Sequence, residues 1–370
     1  MSDFVLPRYG GGALSDVIPS IVARLDGEVP ILDLPRARRY VVVLVDGLGL
    51  EQLEAYADDA ERLASWPRAQ LTCSVPSTTA TSLTSLGCGT TPGGHGVVGY
   101  SFYEPTVDAV VNALSWDNGP ESIDDFRQRP TLFRELEAAG RSSAAVTLAR
   151  FADSALTQLA FDGTQLYPRL TEGEVDETVM LVEEALREHE VVYCYERLLD
   201  YTGHGCGVGS WQWLDQLGFV DDLVAALAEL ASDDVCVLVT GDHGMINVGE
   251  DHRIVIEEEP PLGGYTHVGG ESRFRQIYTD DVPRLAAAWR AFLRDRAEVR
   301  TRDEAIAAGW FGPRVSATTR PRIGDIVVAM RGDWALMSTT APGEFNLVGM
   351  HGSLTPGEMY VPLITVGGTR

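Results

Sequence analysis

Apolar positions along this chain follow two alternating rhythms. Val41-Val42-Val43-Leu44-Val45 is an unbroken β-branched run, the pattern of a strand buried on both faces of a parallel sheet. Residues 50–65 then place Leu53, Ala57, Ala60 and Leu63 at helical spacing, which predicts a helix. The alternation repeats. Residues 69–75 read as a strand, and Ser77, Thr78 or Thr79 caps a helix that runs to about Leu86, with Gly87 and Gly89 to stop it. Beyond it the pattern predicts strands over 107–114, 143–148, 155–161, 191–195, 235–240 and 361–366, and helices over 131–139, 174–188 and 211–230. Strands alternating with helices give an α/β fold, a doubly wound and mostly parallel sheet flanked by helices. Between about 251 and 341 the rhythm breaks into short strands (253–256, 274–278, 326–330) around one helix, 282–294. That stretch reads as a small α+β subdomain inserted within a single domain spanning 1–370.

Composition narrows the class. With 370 residues, 45% of them apolar, the chain can bury a large core. No stretch approaches the roughly 18 apolar residues of a membrane span, and the first twenty residues lack a basic segment followed by an apolar one. The expected location is the cytoplasm, with no membrane partner. Five cysteines, Cys73, Cys88, Cys194, Cys206 and Cys236, have no C-x-x-C spacing and are expected to be reduced and structural. The chain has no lysine: its 29 cations are all arginine, set against 54 carboxylates for a net charge of −25. Nucleic acid is therefore excluded as a partner, since no basic tract exists to displace counterions from its phosphates. A small anionic substrate needs local positive charge, from metal ions or a few arginines.

Candidate chemistry collects at strand ends. Asp46 follows the first strand; Asp200 and His204 follow Val191-Val192-Tyr193-Cys194-Tyr195 in a loop; Asp242 and His243 follow 235–240; and His351 precedes the last strand. In an open parallel sheet such positions share one edge, where ligands bind. Three carboxylates with three imidazoles suit Zn²⁺ or Mn²⁺. They are enough for two ions if an alcohol near Thr79 completes one shell, and two ions roughly 4 Å apart hold the attacking and leaving oxygens of an in-line phosphoryl displacement. The alcohol sits at a helix N-terminus, where backbone N–H groups and the macrodipole favour an anion.

Asp46-Gly47, the Pro76-x-x-Thr79 stretch ending Pro92-x-x-His95-Gly96, Asp200-x-x-x-His204, Asp242-His243-Gly244-Met245 and His351-Gly352 together resemble the motif series of the alkaline phosphatase superfamily, most closely its nucleotide pyrophosphatase/phosphodiesterase branch. The resemblance implies a two-zinc phosphate-ester hydrolase, with Mn²⁺ as another possible ion, that works through a covalent phospho-threonine. It matches Thr79 to the nucleophile, Asp46, Asp242 and His243 to one metal site with Thr79 completing it, Asp200, His204 and His351 to the other, and His95 to a structural motif. The implied substrate is a small anionic phosphate ester such as a nucleotide. Where that branch has Thr-Phe-Pro-Asn, with the asparagine on a phosphoryl oxygen, this chain has Thr79-Ala80-Thr81-Ser82; Ser82 stands in as the donor. Tyr100, Phe102 and Tyr103 offer an aromatic face to a nucleobase or another flat group, with Tyr103 as the candidate contact. A phosphomonoesterase, a phosphonoacetate-type hydrolase and a metal-stabilised binding protein without turnover are the alternatives.

Overall fold

The β-branched run forms the central strand, Arg39–Val45, of a seven-stranded sheet in the computed structural model, which describes residues 4–369. Successive side chains of a strand point to opposite faces, and here both faces are apolar. Tyr40, Val42 and Leu44 join one core with the helix Thr79–Cys88, while Val41, Val43 and Val45 join a second core with the helix Trp211–Ala228. Across the sheet the order is Arg68–Thr72, Tyr360–Gly367, Val235–Gly241, Arg39–Val45, Val191–Glu196, Ser143–Leu148, Gln165–Arg169. Six strands are mutually parallel, and among the described residues Tyr360–Gly367 is the one that runs against its neighbours. The sheet is the doubly wound, mostly parallel α/β arrangement that the alternation predicts. Within residues 251–341 lies a second, antiparallel sheet in the order His267–Glu271, Phe274–Tyr278, Ile326–Met330, Ala297–Thr301. The helix Val282–Leu293 packs Trp289 into a core of its own with Ile277 and Val328.

Several segments differ from the sequence expectation. Residues 155–161 are a helix, Ala155–Phe161, and not a strand; Ser154 caps it by accepting the Thr157 N–H at 3.1 Å. A seven-residue apolar run is too short for its period to decide, and the capping serine was the informative residue. The strand that follows, Gln165–Arg169, contains Pro168 and lies at the sheet edge, where a missing N–H leaves no ladder bond unmade. The helix expected over 50–65 breaks at Tyr56 into Leu50–Ala55, a turn at Ala57–Asp59, and Glu61–Ser65. Asp200 and His204 lie on a helix, Leu198–Cys206, instead of a loop. His189 is buried beside Tyr167, and Arg273 and Arg275 form buried ion pairs with Glu358 and Glu344. All five cysteines are free, with Cys206 exposed. No helix among the described residues is long and apolar enough to cross a membrane.

Gly87 does not stop the helix that begins at Thr79. It lies inside Thr79–Cys88, and Gly89, with φ of 56°, ends it. A Cβ on Gly87 would stand 1.7 Å from the carbonyl oxygen of Ala160, so the two helices meet backbone to backbone at this point. Gly87→Ala must push them apart and is expected to lower stability by about 3 kcal/mol, read as a drop in the urea midpoint.

Candidate active site

Chain topology brings the strand-end residues together. Asp46 follows Arg39–Val45, and Asp242 and His243 follow the neighbouring Val235–Gly241. Thr79 is the first residue of its helix; its Oγ1 lies 3.4 Å from Asp46 Oδ1 and 3.2 Å from His243 Nε2. His243 Nε2 is in turn 3.5 Å from Asp46 and 3.4 Å from Asp242 Oδ2. One helical turn separates Asp200 from His204, so both point from the same face, with Oδ2 and Nε2 3.4 Å apart. His351 reaches this edge because the last strand is reversed and starts where the others end. Its Nε2 lies 3.2 Å from His204 Nε2 and 3.9 Å from Asp200 Oδ1, and its ring stacks on His243 at 3.7 Å.

The imidazoles are aimed alike. His204 Nδ1 contacts the Gly349 carbonyl at 2.8 Å, His351 Nδ1 the Ser77 carbonyl at 2.8 Å, and His243 Nδ1 the Gly244 carbonyl at 3.0 Å. A carbonyl accepts, so each Nδ1 carries the proton and each Nε2 presents a lone pair inward, the way metal-bound histidines are oriented. Two such lone pairs 3.2 Å apart repel unless a cation lies between them. Asp200 Oδ1 and Asp242 Oδ2 are buried with no hydrogen-bond partner. Burial, then the charges of Asp242 and Asp200, push the Asp46 carboxyl well above the usual carboxylate range, and burial raises Asp242 as well. Burial, then the neighbouring His243 and His204, holds His351 well below the ordinary imidazole value. This donor set fits divalent cations: ligand atoms of Asp200, His204 and His351 lie within 4.8 Å of one another, as do those of Asp46, Asp200 and His243. Asp200 thus stands between the two groups, and Asp242 joins the second through His243.

A cleft of about 560 Å³ opens over these residues. Thr79, Asp46, Asp200, His204 and His351 line it, but Ser82 and Tyr103 do not. Ser82 is fully buried in the helix and Leu83 faces the cleft in its place. Tyr103 sits on the hairpin of Ser101–Glu104 and Ala109–Asn112, bonded to Asp108 and packed on His267; of the three aromatics expected there, Tyr100 reaches the cleft. His95 is buried between Ser85 and the Val97 N–H, away from the ligands, and burial pushes it down to about 3.

The profile of the type I phosphodiesterase / nucleotide pyrophosphatase family matches residues 40–354. The chain belongs to this family. It is accordingly a member of the alkaline phosphatase superfamily, a metal-dependent hydrolase of phosphate esters. Among solved structures, murine ectonucleotide pyrophosphatase / phosphodiesterase 5 shares the fold with a TM-score of 0.70 at 18% identity, over 89% of this chain and 88% of that one. Phosphonoacetate hydrolase from Sinorhizobium meliloti, solved with phosphonoacetate, does so with a TM-score of 0.67 at 21% identity over 90% of each chain. An inactive form of the murine protein was solved in complex with AMP. A sequence search of curated proteins finds no match.

The phosphodiesterase site contains groups that sequence reasoning missed. Tyr195 donates its hydroxyl to Asp46 Oδ2, and Tyr193, two positions earlier on the same strand face, also lines the cleft; two tyrosines alternating at the end of an otherwise apolar strand were the available signal. Glu271 lines the cleft too, its Oε2 3.6 Å from His351 Nδ1, and burial raises it well above an ordinary carboxyl. Nothing in its local sequence marks it. Because Asp46 is raised, a proton competes for it as pH falls, whereas the depressed His351 stays neutral and offers no competition. Zinc is therefore expected to raise Tm by several degrees more at pH 7.5 than at pH 5.5. Asp46→Asn is expected to remove most of that difference in thermal scans with and without chelator.

Proposed function

We propose that this chain is a two-zinc phosphodiesterase of small substrates that works through a covalent intermediate on Thr79. The observation that carries the reading is Thr79 Oγ1 poised at a helix start within 3.2 Å of His243 and 3.4 Å of Asp46. Asp46, Asp242 and His243 would hold one ion beside Thr79, and Asp200, His204 and His351 the other. Bound ions neutralise charge on phosphoryl oxygens and lower the pKa of an alcohol and of water.

Thr79 Oγ1 attacks phosphorus as its proton passes to solvent, and the Thr–O–P bond forms while one ester O–P bond breaks on the opposite side. The departing alkoxide takes a proton from water. N–H groups of the helix's first turn lack acceptors within the helix and receive the phosphoryl oxygens, the role that buried Ser82 does not fill. Water then attacks from the side the alcohol left, releases the monoester and restores Thr79. Two inversions give net retention at phosphorus. The AMP bound to the murine relative and the phosphonoacetate bound to the bacterial one support a small phosphorus-containing substrate.

A monoester or phosphonate carries an extra negative charge that needs a further cation. Among the described residues lining the cleft the cation is Arg197, and it is paired with Glu172 at 2.6 Å. The diester reading is favoured for that reason. With zinc supplied, bis(p-nitrophenyl) phosphate should be hydrolysed faster than p-nitrophenyl phosphate at equal enzyme, and the reverse order would overturn the diester preference. Thr79→Ala is expected to lower kcat/KM at least about 1,000-fold while keeping the zinc-induced rise in Tm. Failure of wild type to turn over any phosphate ester would leave a binding protein.

A further inference from the structure

Away from the metal ligands the cleft continues into a chamber between one face of the sheet and two helices. Ala145, Tyr193 and Tyr195 form the sheet side; Leu83 of the nucleophile helix, with Leu156 and Phe161 of Ala155–Phe161, covers it. The wall is aromatic over most of its length. Tyr195, tied to Asp46 at the mouth, lies nearly parallel to Tyr193 with ring centres 6.4 Å apart, and Tyr193 stacks on Phe161 at 4.1 Å. Alanine at 145 leaves the depth open where a larger residue on this strand would fill it. Apart from the residues at the ligand end, the charged lining residues are Arg197, paired with Glu172, and Glu344, paired with Arg275.

Within this apolar wall the Tyr193 hydroxyl is buried and has no hydrogen-bond partner. A buried phenol ordinarily finds one. The Tyr195 hydroxyl donates to Asp46, and the Ser154 hydroxyl donates to Thr157 Oγ1; Tyr193 carries the hydroxyl on this lining that is fully enclosed without a partner, with Thr147 beside it. The base edge and ribose hydroxyls of a nucleoside would be buried here against Leu83, Ala145 and Leu156 with too few partners, each at a cost. An uncharged carbon chain brings few polar groups of its own to be left unpaired, and one acceptor on it satisfies Tyr193.

We propose that this chamber seats one ester alcohol of the substrate, an uncharged apolar group of several carbons carrying a single hydrogen-bond acceptor for the Tyr193 hydroxyl. The inference rests on the phosphodiesterase reading and replaces a nucleotide by a hydrophobic diester as the preferred substrate.

The test uses zinc-loaded wild type and p-nitrophenyl alkyl phosphodiesters with methyl, butyl and octyl groups, alongside the p-nitrophenyl ester of thymidine 5′-phosphate. At about 0.8 kcal/mol per buried methylene, kcat/KM should rise about fourfold per carbon, giving butyl roughly a sixtyfold advantage over methyl, and octyl should exceed the thymidine ester. Ala145→Leu should reduce the octyl-to-methyl ratio at least tenfold, a ratio unaffected by loss of folded enzyme. Tyr193→Phe should cost an ether-containing chain about tenfold relative to a plain chain of equal length. A flat alkyl series in wild type, or a thymidine ester tenfold better than octyl, overturns the proposal. If no diester is hydrolysed, the phosphodiesterase reading fails separately. Calorimetry of octyl and methyl phosphate on zinc-loaded Thr79→Ala then decides the chamber: tighter octyl binding that Ala145→Leu removes upholds it, and equal binding sinks it.

Discussion

Carboxylates packed face to face out of water repel one another, and a cation is the remedy that leaves all of them ionised. Asp46, Asp242 and Asp200 are in that position: burial and each other's charge disfavour ionisation of the first two. Around them the fold supplies partial compensation without removing the need. The Gly47 N–H reaches Asp242 Oδ1 at 3.0 Å, and Tyr195 donates to Asp46. The second oxygen of Asp242 and one oxygen of Asp200 stay bare, and three imidazole lone pairs turn toward the same space. In a chain of net charge −25, divalent ions held by these groups would give an anionic substrate its point of attraction.

Rigid placement of the donors is the work of backbone contacts more than of side chains. Ser77, two residues before Thr79, is the clearest case. Its N–H bonds the Gly352 carbonyl at 3.1 Å, its hydroxyl donates to the Ser353 carbonyl at 2.6 Å and accepts the Gly352 N–H at 3.1 Å, and its carbonyl holds His351 Nδ1 at 2.8 Å. One fully buried serine therefore fixes the Thr79 loop against the loop of a metal-ligand candidate 274 positions away. Below it the Arg273–Glu358 pair, also buried, ties Ser353 through the Glu358 carboxylate. Such a charge pair needs full satisfaction to be tolerated out of water, and here each carboxylate oxygen has partners.

Much of this was legible in the sequence, for identifiable reasons. The strand at 39–45 was plain because both of its faces are apolar, and the ligand types at strand ends were plain because a parallel sheet gathers such ends at one edge. His351 was legible as chemistry but its arrival depends on a reversed strand, which no local pattern announces. Ser82 was placed by the asparagine it replaces in the family motif and Tyr103 by its closeness to the Thr79 helix in sequence; helix phase turns Ser82 inward and brings Leu83 to the cleft, and a hairpin carries Tyr103 away. The chamber was illegible because its parts come from two strands and two helices, one of them misread as a strand. Gly87 shows the same limit: next to Gly89 it looks like a stop signal, and its role as a contact point depends on Ala160, 73 residues later.

The reversed strand has a consequence for how the protein is made. Within the large sheet Arg68–Thr72, which leads into the loop before Thr79, pairs with Tyr360–Gly367 alone. A ribosome delivers those two strands some three hundred residues apart, N-terminal first. Until the segment carrying His351 and Tyr360–Gly367 has emerged, Arg68–Thr72 has no neighbour in the sheet and the Ser77 loop has no His351 to hold. The Thr79 loop thus gains its partner strand and its tie to His351 only after some three hundred further residues have been made.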